Sequence, residues 1–183
     1  MSLRLAVLAM LDVEPGSGYA LLQRFQNSVG FFWQTTHQQL YKELHGLHAE
    51  GLIDCREVAQ DGKPDKKVYS LNATGAAELD RLLAEVASPA KIRDPFLVKI
   101  FSGRRLPKQA IAEELARHRE QHRQTLATYQ LLDAQILNLS PGLREKYQYP
   151  RQTLLLGIRF EATWLEWCEG VVKELGLEEY WEN

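Results

Sequence analysis

The stretch TTHQQLYKELHGLHAEG, residues 35–51, decides how the chain is read. Leu40, Leu44 and Leu47 recur at spacings of four and three, which places all three on one narrow stripe of an α-helix. Gln38, Gln39, Lys42 and His45 project together from the opposite face. Thr35 or Thr36, with Gln38 or Gln39 three residues on, makes a capping-box start, and Gly51 is a suitable C-terminal stop. Such a helix has one side for a core and another for a partner.

Working outward, Leu3 to Leu11 is apolar on nearly every side, so the short helix it predicts must be buried all round. Pro15, Gly16, Ser17 and Gly18 break the chain, and Ser17 is placed to cap a second helix with Leu22, Phe25 and Val29 at helical spacing. Gly30 ends that helix, and Phe31, Phe32 and Trp33 form a hydrophobic link to the next. Beyond Gly51, Leu52 to Val58 and Lys67 to Leu71 read as two strands joined by the turn-forming run Gln60 to Asp65. Thr74 then starts a fourth helix, Ala76 to Val86, whose Leu79, Leu82, Leu83 and Val86 share a face. Helix, helix, helix, hairpin, helix is the order of a winged helix-turn-helix, with residues 35–51 in the recognition position and the hairpin as wing.

A break from Ser88 to Pro95 holds two prolines and the charged Lys91, Arg93 and Asp94, and is read as a linker. Residues 1–87 form the winged helix-turn-helix domain in this reading, 88–95 the linker, and 96–183 a helical domain. In the latter, Ile111, Leu115, His118, His122, Leu126, Tyr129, Leu132 and Ile136 step by three and four along a long helix, and a seam of that length usually meets a partner. Ser140, Pro141 and Gly142 interrupt it. A final helix from about Gln152 to Leu175 carries Leu155, Ile158, Ala162, Leu165, Cys168, Val172 and Leu175 on one side, widened by Phe160, Trp164 and Trp167. The fold class expected is mainly α with a small β-hairpin wing.

Composition excludes several classes of function. With 45% hydrophobic and 25% charged residues the chain is core-forming, and its longest apolar run, Leu5 to Leu11, is far too short to cross a bilayer. No leader peptide is evident, and Cys55 and Cys168, far apart and without metal-ligand spacing, fit unpaired thiols in a reducing cytoplasm. A net charge of −2 argues against an indiscriminate polybasic nucleic-acid binder, so any DNA contact must come from a local patch. No acid lies between Glu14 and Glu43, while Arg24, His37 and Lys42 do. His118 and His122 have the spacing of a helical metal pair, with Glu114 one turn before, but Glu120 is misplaced for the zinc-protease order. Nucleophile motifs, phosphate-binding loops and dinucleotide-binding glycines are missing too. Neither an enzyme nor a metal or cofactor is expected.

Several segments resemble the PadR family of transcriptional regulators. These are Ser17-Gly18-Tyr19, Gly30 to Trp33, His37 to Tyr41 running on to Glu50-Gly51-Leu52, and Lys66 to Leu71 followed by Thr74-Gly75. Asp94 to Lys99 and Leu155 to Trp167 are similar to the C-terminal part of longer members, the match being weaker between Arg104 and Tyr149. The resemblance implies a homodimeric repressor that occupies an inverted repeat of double-stranded operator DNA and is released by a small molecule. The element Gly30 to Trp33 with His37 is most similar to members that answer to phenolic acids. One departure is the charge of residues 1–86, where 8 basic side chains face 11 acidic ones, a balance of −3.

On that reading Gln38 and Gln39 hydrogen-bond base edges in the major groove, adenine in particular. Thr35, Thr36 and Lys42 hold phosphates, and Tyr41 joins the DNA-binding set. Lys63, Lys66 and Lys67 of the wing add affinity without sequence information. Tyr19, Trp33 and His37 are candidates to wall an aromatic effector, with Arg159 or Lys99 meeting its carboxylate. The competing reading makes these aromatics core. Two rival functions remain: a multidrug-sensing repressor, differing in ligand, and a protein-interaction module, which the weak basicity favours.

Overall fold

The computed structural model describes residues 3–28, 33, 35–59, 66–89 and 91–181. The chain divides into two compact units: residues 1–88 with 145–150, and residues 89–144 with 151–183.

Among the described residues within 1–88, four helices and a small sheet surround a largely aliphatic core. Helix α1 (Leu3–Val13) buries Val7, Leu8, Met10 and Leu11, and no residue from Leu3 to Leu11 is exposed, as an all-apolar helix demands. Gly16–Ser17 forms β1, a two-residue strand that periodicity could not reveal; it pairs antiparallel with β3 (Lys66–Leu71), Gly16 opposite Tyr69. Ser17 also caps α2 (Gly18–Ser28), its Oγ accepting the Ala20 N–H at 3.2 Å. Leu21 and Phe25 carry the buried line of α2, with Leu22 only partly covered; Val29 to Phe32 lie outside the described residues. Helix α3 (His37–Ala49) turns Leu40, Leu44 and Leu47 fully inward.

At the end of α3, Gly51 takes a φ of +72°, a left-handed conformation that side-chain-bearing residues rarely adopt. The Leu52 N–H then reaches the Leu47 carbonyl at 2.9 Å and the Gly51 N–H that of His48 at 3.0 Å, the paired bonds of a Schellman close. The chain passes straight into β2 (Ile53–Val58), which pairs with β3 from Ile53–Leu71 to Val58–Lys66, giving the sheet order β1-β3-β2. The turn Gln60 to Asp65, with Lys63, lies outside the described residues.

Helix α4 (Ala73–Leu83) differs from expectation at both ends. Its cap is Asn72, whose Oδ1 accepts the Gly75 N–H at 2.9 Å, and not Thr74. It stops at Leu83, so Val86 is 98% exposed and Leu83 61%, leaving Leu79 and Leu82 as the inward residues. Where α4 crosses β2, a Cβ on Gly75 would sit 1.9 Å from the Leu52 carbonyl oxygen. Only glycine permits that approach. Arg4 of α1 meets Glu50 at 2.5 Å, Glu43 at 3.6 Å and Glu78 at 4.0 Å, tying α1 to α3 and α4.

The second unit begins with α5 (Pro95–Phe101), where Asp94 accepts the Phe96 and Leu97 N–H groups and Pro95 fills the first turn. Helix α6 (Lys108–Leu137) is 30 residues long, and the predicted seam faces inward: Ile111, Leu115 and Tyr129 are buried, and the five other seam positions half-buried. A short helix α7 (Pro141–Lys146) precedes α8 (Gln148–Leu175). The buried line of α8 is Leu154, Gly157, Glu161, Cys168 and Val172; Ala162 and Leu175 are exposed, and Leu155, Ile158 and Leu165 half-buried. The expected stripe holds at Cys168 and Val172, but its first half is displaced by one residue, from Leu155, Ile158 and Ala162 to Leu154, Gly157 and Glu161. An apolar scan misses that half because a carboxylate, Glu161, stands in it.

Candidate nucleic-acid interface

Helix α3 presents Gln38, Lys42, His45 and Ala49 as one exposed stripe opposite its leucines. Its start is fixed by a complete capping box. Thr36 Oγ1 accepts the Gln39 N–H at 3.2 Å, and Gln39 Oε1 accepts the Thr36 N–H at 3.0 Å. The carbonyl end of the Gln39 side chain is therefore engaged by its own backbone, while the amide of Gln38 faces outward. Spacing alone had left the two glutamines equivalent. Thr35 is half-buried, and its hydroxyl points at the Thr36 carbonyl at 3.5 Å.

Tyr41 is held by its surroundings. A Cβ on Gly18 would lie 2.5 Å from Tyr41 Cζ, so the phenol ring rests directly on the first residue of α2. His37 stacks on it at 4.2 Å and His45 meets it edge-on at 6.5 Å, giving a ladder of three rings along α3. Tyr41 also approaches Tyr69, whose hydroxyl pKa is pushed up by burial first and by Cys55 and Tyr41 next. Gly18, which the sequence marks as a chain break, thus also sets the distance between α2 and α3. In the wing Lys66 is exposed, and Lys67 lies 3.7 Å from Glu57, its cross-strand partner. Arg24 is turned back to the Glu14 and Pro15 carbonyls at 2.6 and 2.8 Å, serving the loop before α2.

The candidate effector residues are dispersed. Tyr19 is 66% exposed, Trp33 packs against the core of the first unit, and His37 stacks on Tyr41. Arg159 belongs to the second unit and is exposed; Lys99 is paired with Glu114 at 2.6 Å. The imidazoles of His118 and His122 enter an aromatic column. Phe96 stacks on His118 at 4.1 Å, His122 stacks on Trp164 at 4.7 Å, and Trp167 stands across Phe96 and Trp164 at 84° to each. Burial is the leading cause that lowers the His118 pKa, Asp94 and Glu114 opposing it and His122 and Arg117 adding to it. His122 Nδ1 meets Glu161 at 2.5 Å, and that carboxylate is 5% exposed.

The pattern of the PadR-like transcriptional regulator family matches residues 7–81, and that of the Virulence activator alpha C-term family residues 92–176. The probable transcriptional regulator Rv1176c of Mycobacterium tuberculosis is 31% identical over 186 residues, spanning 96% of this chain and 98% of that one. The chain belongs to the PadR-like family of transcriptional regulators. It is also similar to the negative transcriptional regulator PadR of Bacillus subtilis, 36% identical over 100 residues, 54% of this chain and 55% of that one. Two solved structures of the same Bacillus PadR superpose on it. The complex with operator DNA gives a TM-score of 0.78 at 25% identity, covering 94% of this chain and 96% of that one. The complex with p-coumaric acid gives 0.69 at 23%, covering 95% of each. A PadR-like protein is a transcriptional regulator and not an enzyme, and the winged helix with an added helical C-terminal part is its architecture. Among the described residues no helix is long and apolar enough to cross a membrane.

Proposed function

We propose that this PadR-like chain is a cytoplasmic DNA-binding repressor acting as a homodimer on an inverted repeat. The observation that carries the proposal is α3: leucines inward, a capping box and glycine close fixing its ends, and the Gln38, Lys42, His45 stripe outward. A helix so preset enters a major groove with little ordering left to do. Residues 1–87 are the DNA reader in this proposal, 88–95 the linker, and 96–183 the part that dimerises. Gln38 and Gln39 read bases, Gln39 through its amide NH2; Thr35, Thr36, Tyr41 and Lys42 hold the phosphate backbone, and Lys63, Lys66 and Lys67 grip it from the wing. Two such helices in successive major grooves lie about 34 Å apart.

The effector class proposed is a small aromatic acid; one Bacillus subtilis PadR structure that superposes on this chain is a complex with p-coumaric acid. Within the first unit, Tyr19, Trp33 and His37 are the flat side chains proposed to meet its ring. Preferential binding to the DNA-free form then becomes loss of operator affinity, with a coupling of about 1–3 kcal/mol.

The test is fluorescence anisotropy with DNA from upstream of the chain's own gene, at two salt concentrations, with and without p-coumarate. Tight binding that weakens steeply with salt and reverses with the acid is expected, since phosphate neutralisation releases counterions. Salt-sensitive binding indifferent to the acid overturns the effector class alone and leaves a multidrug-type ligand. The balance of −3 over residues 1–86 favours one other reading, a protein-interaction module, and salt-insensitive or absent DNA binding would establish it.

A further inference from the structure

A recognition helix meets phosphates with all its charges, not only its lysines. Among residues 37–50, α3 and its C-terminal cap carry two carboxylates, Glu43 and Glu50. At 100° per residue these two and Gly46 share one flank of the helix, next to the stripe of Gln38, Lys42 and His45. Gly46 contributes no side chain, and nothing lies within 4 Å of where its Cβ would be. That flank is consequently open, and Glu43 and Glu50 are the groups on it that would repel DNA.

Both carboxylates are claimed by one guanidinium. Arg4 of α1 contacts Glu50 at 2.5 Å through Nη2 and Glu43 at 3.6 Å through Nε, and reaches Glu78 at 4.0 Å. Arg81 takes the other side of Glu78 at 2.8 Å, leaving Arg4 chiefly to the acids of α3. The hydrogen bond to Glu50 is the leading cause that raises the Arg4 pKa, so its charge is held firmly. The side chain of Arg4 is 28% exposed and those of Glu43 and Glu50 are 26% and 49% exposed. Surface pairs of this kind add little stability. Their placement beside the exposed stripe is what matters: Glu43 follows Lys42 directly and Glu50 lies about two turns on, and a carboxylate within a Debye length of about 8–10 Å of a bound phosphate acts on it.

We infer that Arg4, although it lies on α1, is a positioning residue for DNA binding: it draws Glu43 and Glu50 back so that α3 shows phosphates Lys42 without opposing carboxylates. The inference rests on the DNA-reading proposal above. It also accounts for how a domain with more acids than bases carries a recognition helix that DNA tolerates.

The test is a rescue series read by anisotropy on operator and random DNA. Arg4→Met is expected to weaken both by about five- to tenfold, repulsion being indifferent to sequence. Adding Glu43→Gln and Glu50→Gln should restore affinity to within about twofold of the parent, since it removes the freed charges. A matched control, Arg4→Met with Glu113→Gln and Glu169→Gln, carries the same net charge but keeps Glu43 and Glu50 charged, and should stay weak. Undiminished binding by Arg4→Met, a loss that persists in the Glu43/Glu50 triple variant, or equal rescue by the control each overturn the inference. Should Arg4→Met fail to fold by circular dichroism, Arg4→Lys, which keeps a charge but not the fork that spans both acids, gives the same comparison with a smaller loss. Failure of the unaltered protein to bind DNA in a salt-dependent way overturns the DNA-reading proposal itself; a failed rescue with parental binding intact overturns only the role of Arg4.

Discussion

Leu44 and Glu161 hold comparable stations in their units. Each sits mid-way along the helix that carries the buried line, at 0% and 5% exposure, yet one is an alkyl chain and the other an acid. Around Leu44 the first unit gathers Leu8, Leu11, Leu21, Phe25, Leu40 and Leu47, so its cohesion comes from apolar area removed from water. Against Glu161 the second unit sets His122, whose ring stacks on Trp164 beside the Phe96–His118 pair, so part of its cohesion comes from a buried polar contact. The core of the first unit is thus held by packing, and that of the helical unit in part by a buried polar pair.

The sharpest way to break this contrast is in the aliphatic core. Leu44→Ala should cost about 2–5 kcal/mol in a urea titration, since the site is closed on all sides and collapses poorly; a loss below about 1 kcal/mol would mean the first unit is not held by packing. Next in size, His122→Leu should cost about 2 kcal/mol by removing the imidazole from a buried carboxylate, and Glu161→Leu added to it should recover most of that, because replacing both partners avoids a stranded charge. A double variant no better than the single one would sink the view that the pair, and not the fit of His122 against Trp164, is what the helices need.

The third prediction concerns pH. Burial lowers the His118 pKa, so below the unfolded imidazole's 6.5 the unfolded chain takes up a proton that the folded second unit resists. Stability should therefore fall as pH drops from about 7 toward the folded value. His118→Phe, which keeps a flat ring against Phe96, should flatten that slope in thermal melts; an unchanged slope would place the pH response elsewhere. The smallest effect is kinetic. Cys168 is buried with its thiol pushed up to about 11 by desolvation, whereas Cys55 is half-buried. Iodoacetamide at pH 8 should label Cys55 first, and equal rates would mean that the second unit opens readily.

The same contrast explains what could be read from the residues alone. Periodicity found α1, α3 and α6 because their buried lines are apolar, and a pattern of hydrophobes is what the core of the first unit consists of. It found Cys168 and Val172 on the inner face of α8 but misplaced the first half of that face by reading around Glu161, a buried acid that no hydrophobic count credits. Strand β1 is two residues long, too short to carry a period. Asn72 outcompeted Thr74 as a cap because its side chain also donates to the Gly51 carbonyl at 3.0 Å, a contact 21 residues away in sequence. At the interface, residue types and spacing located the stripe of Gln38 and Lys42, but could not say that Gln39 Oε1 turns back to Thr36, nor that Arg4 reaches across from α1. Those facts belong to the three-dimensional arrangement.

The missing side chain at Gly75 has a mechanical consequence. Because α4 lies directly on the Leu52 carbonyl, the joint between recognition helix and wing has no side-chain cushion to compress and no slack through which one could swing without the other. On the DNA-reading proposal, α3 and the paired strands β2 and β3 approach a duplex as a single jaw, and a collision that seats one seats both. Capture becomes a matter of orientation during encounter, and whatever loosens the grip has to move the whole jaw.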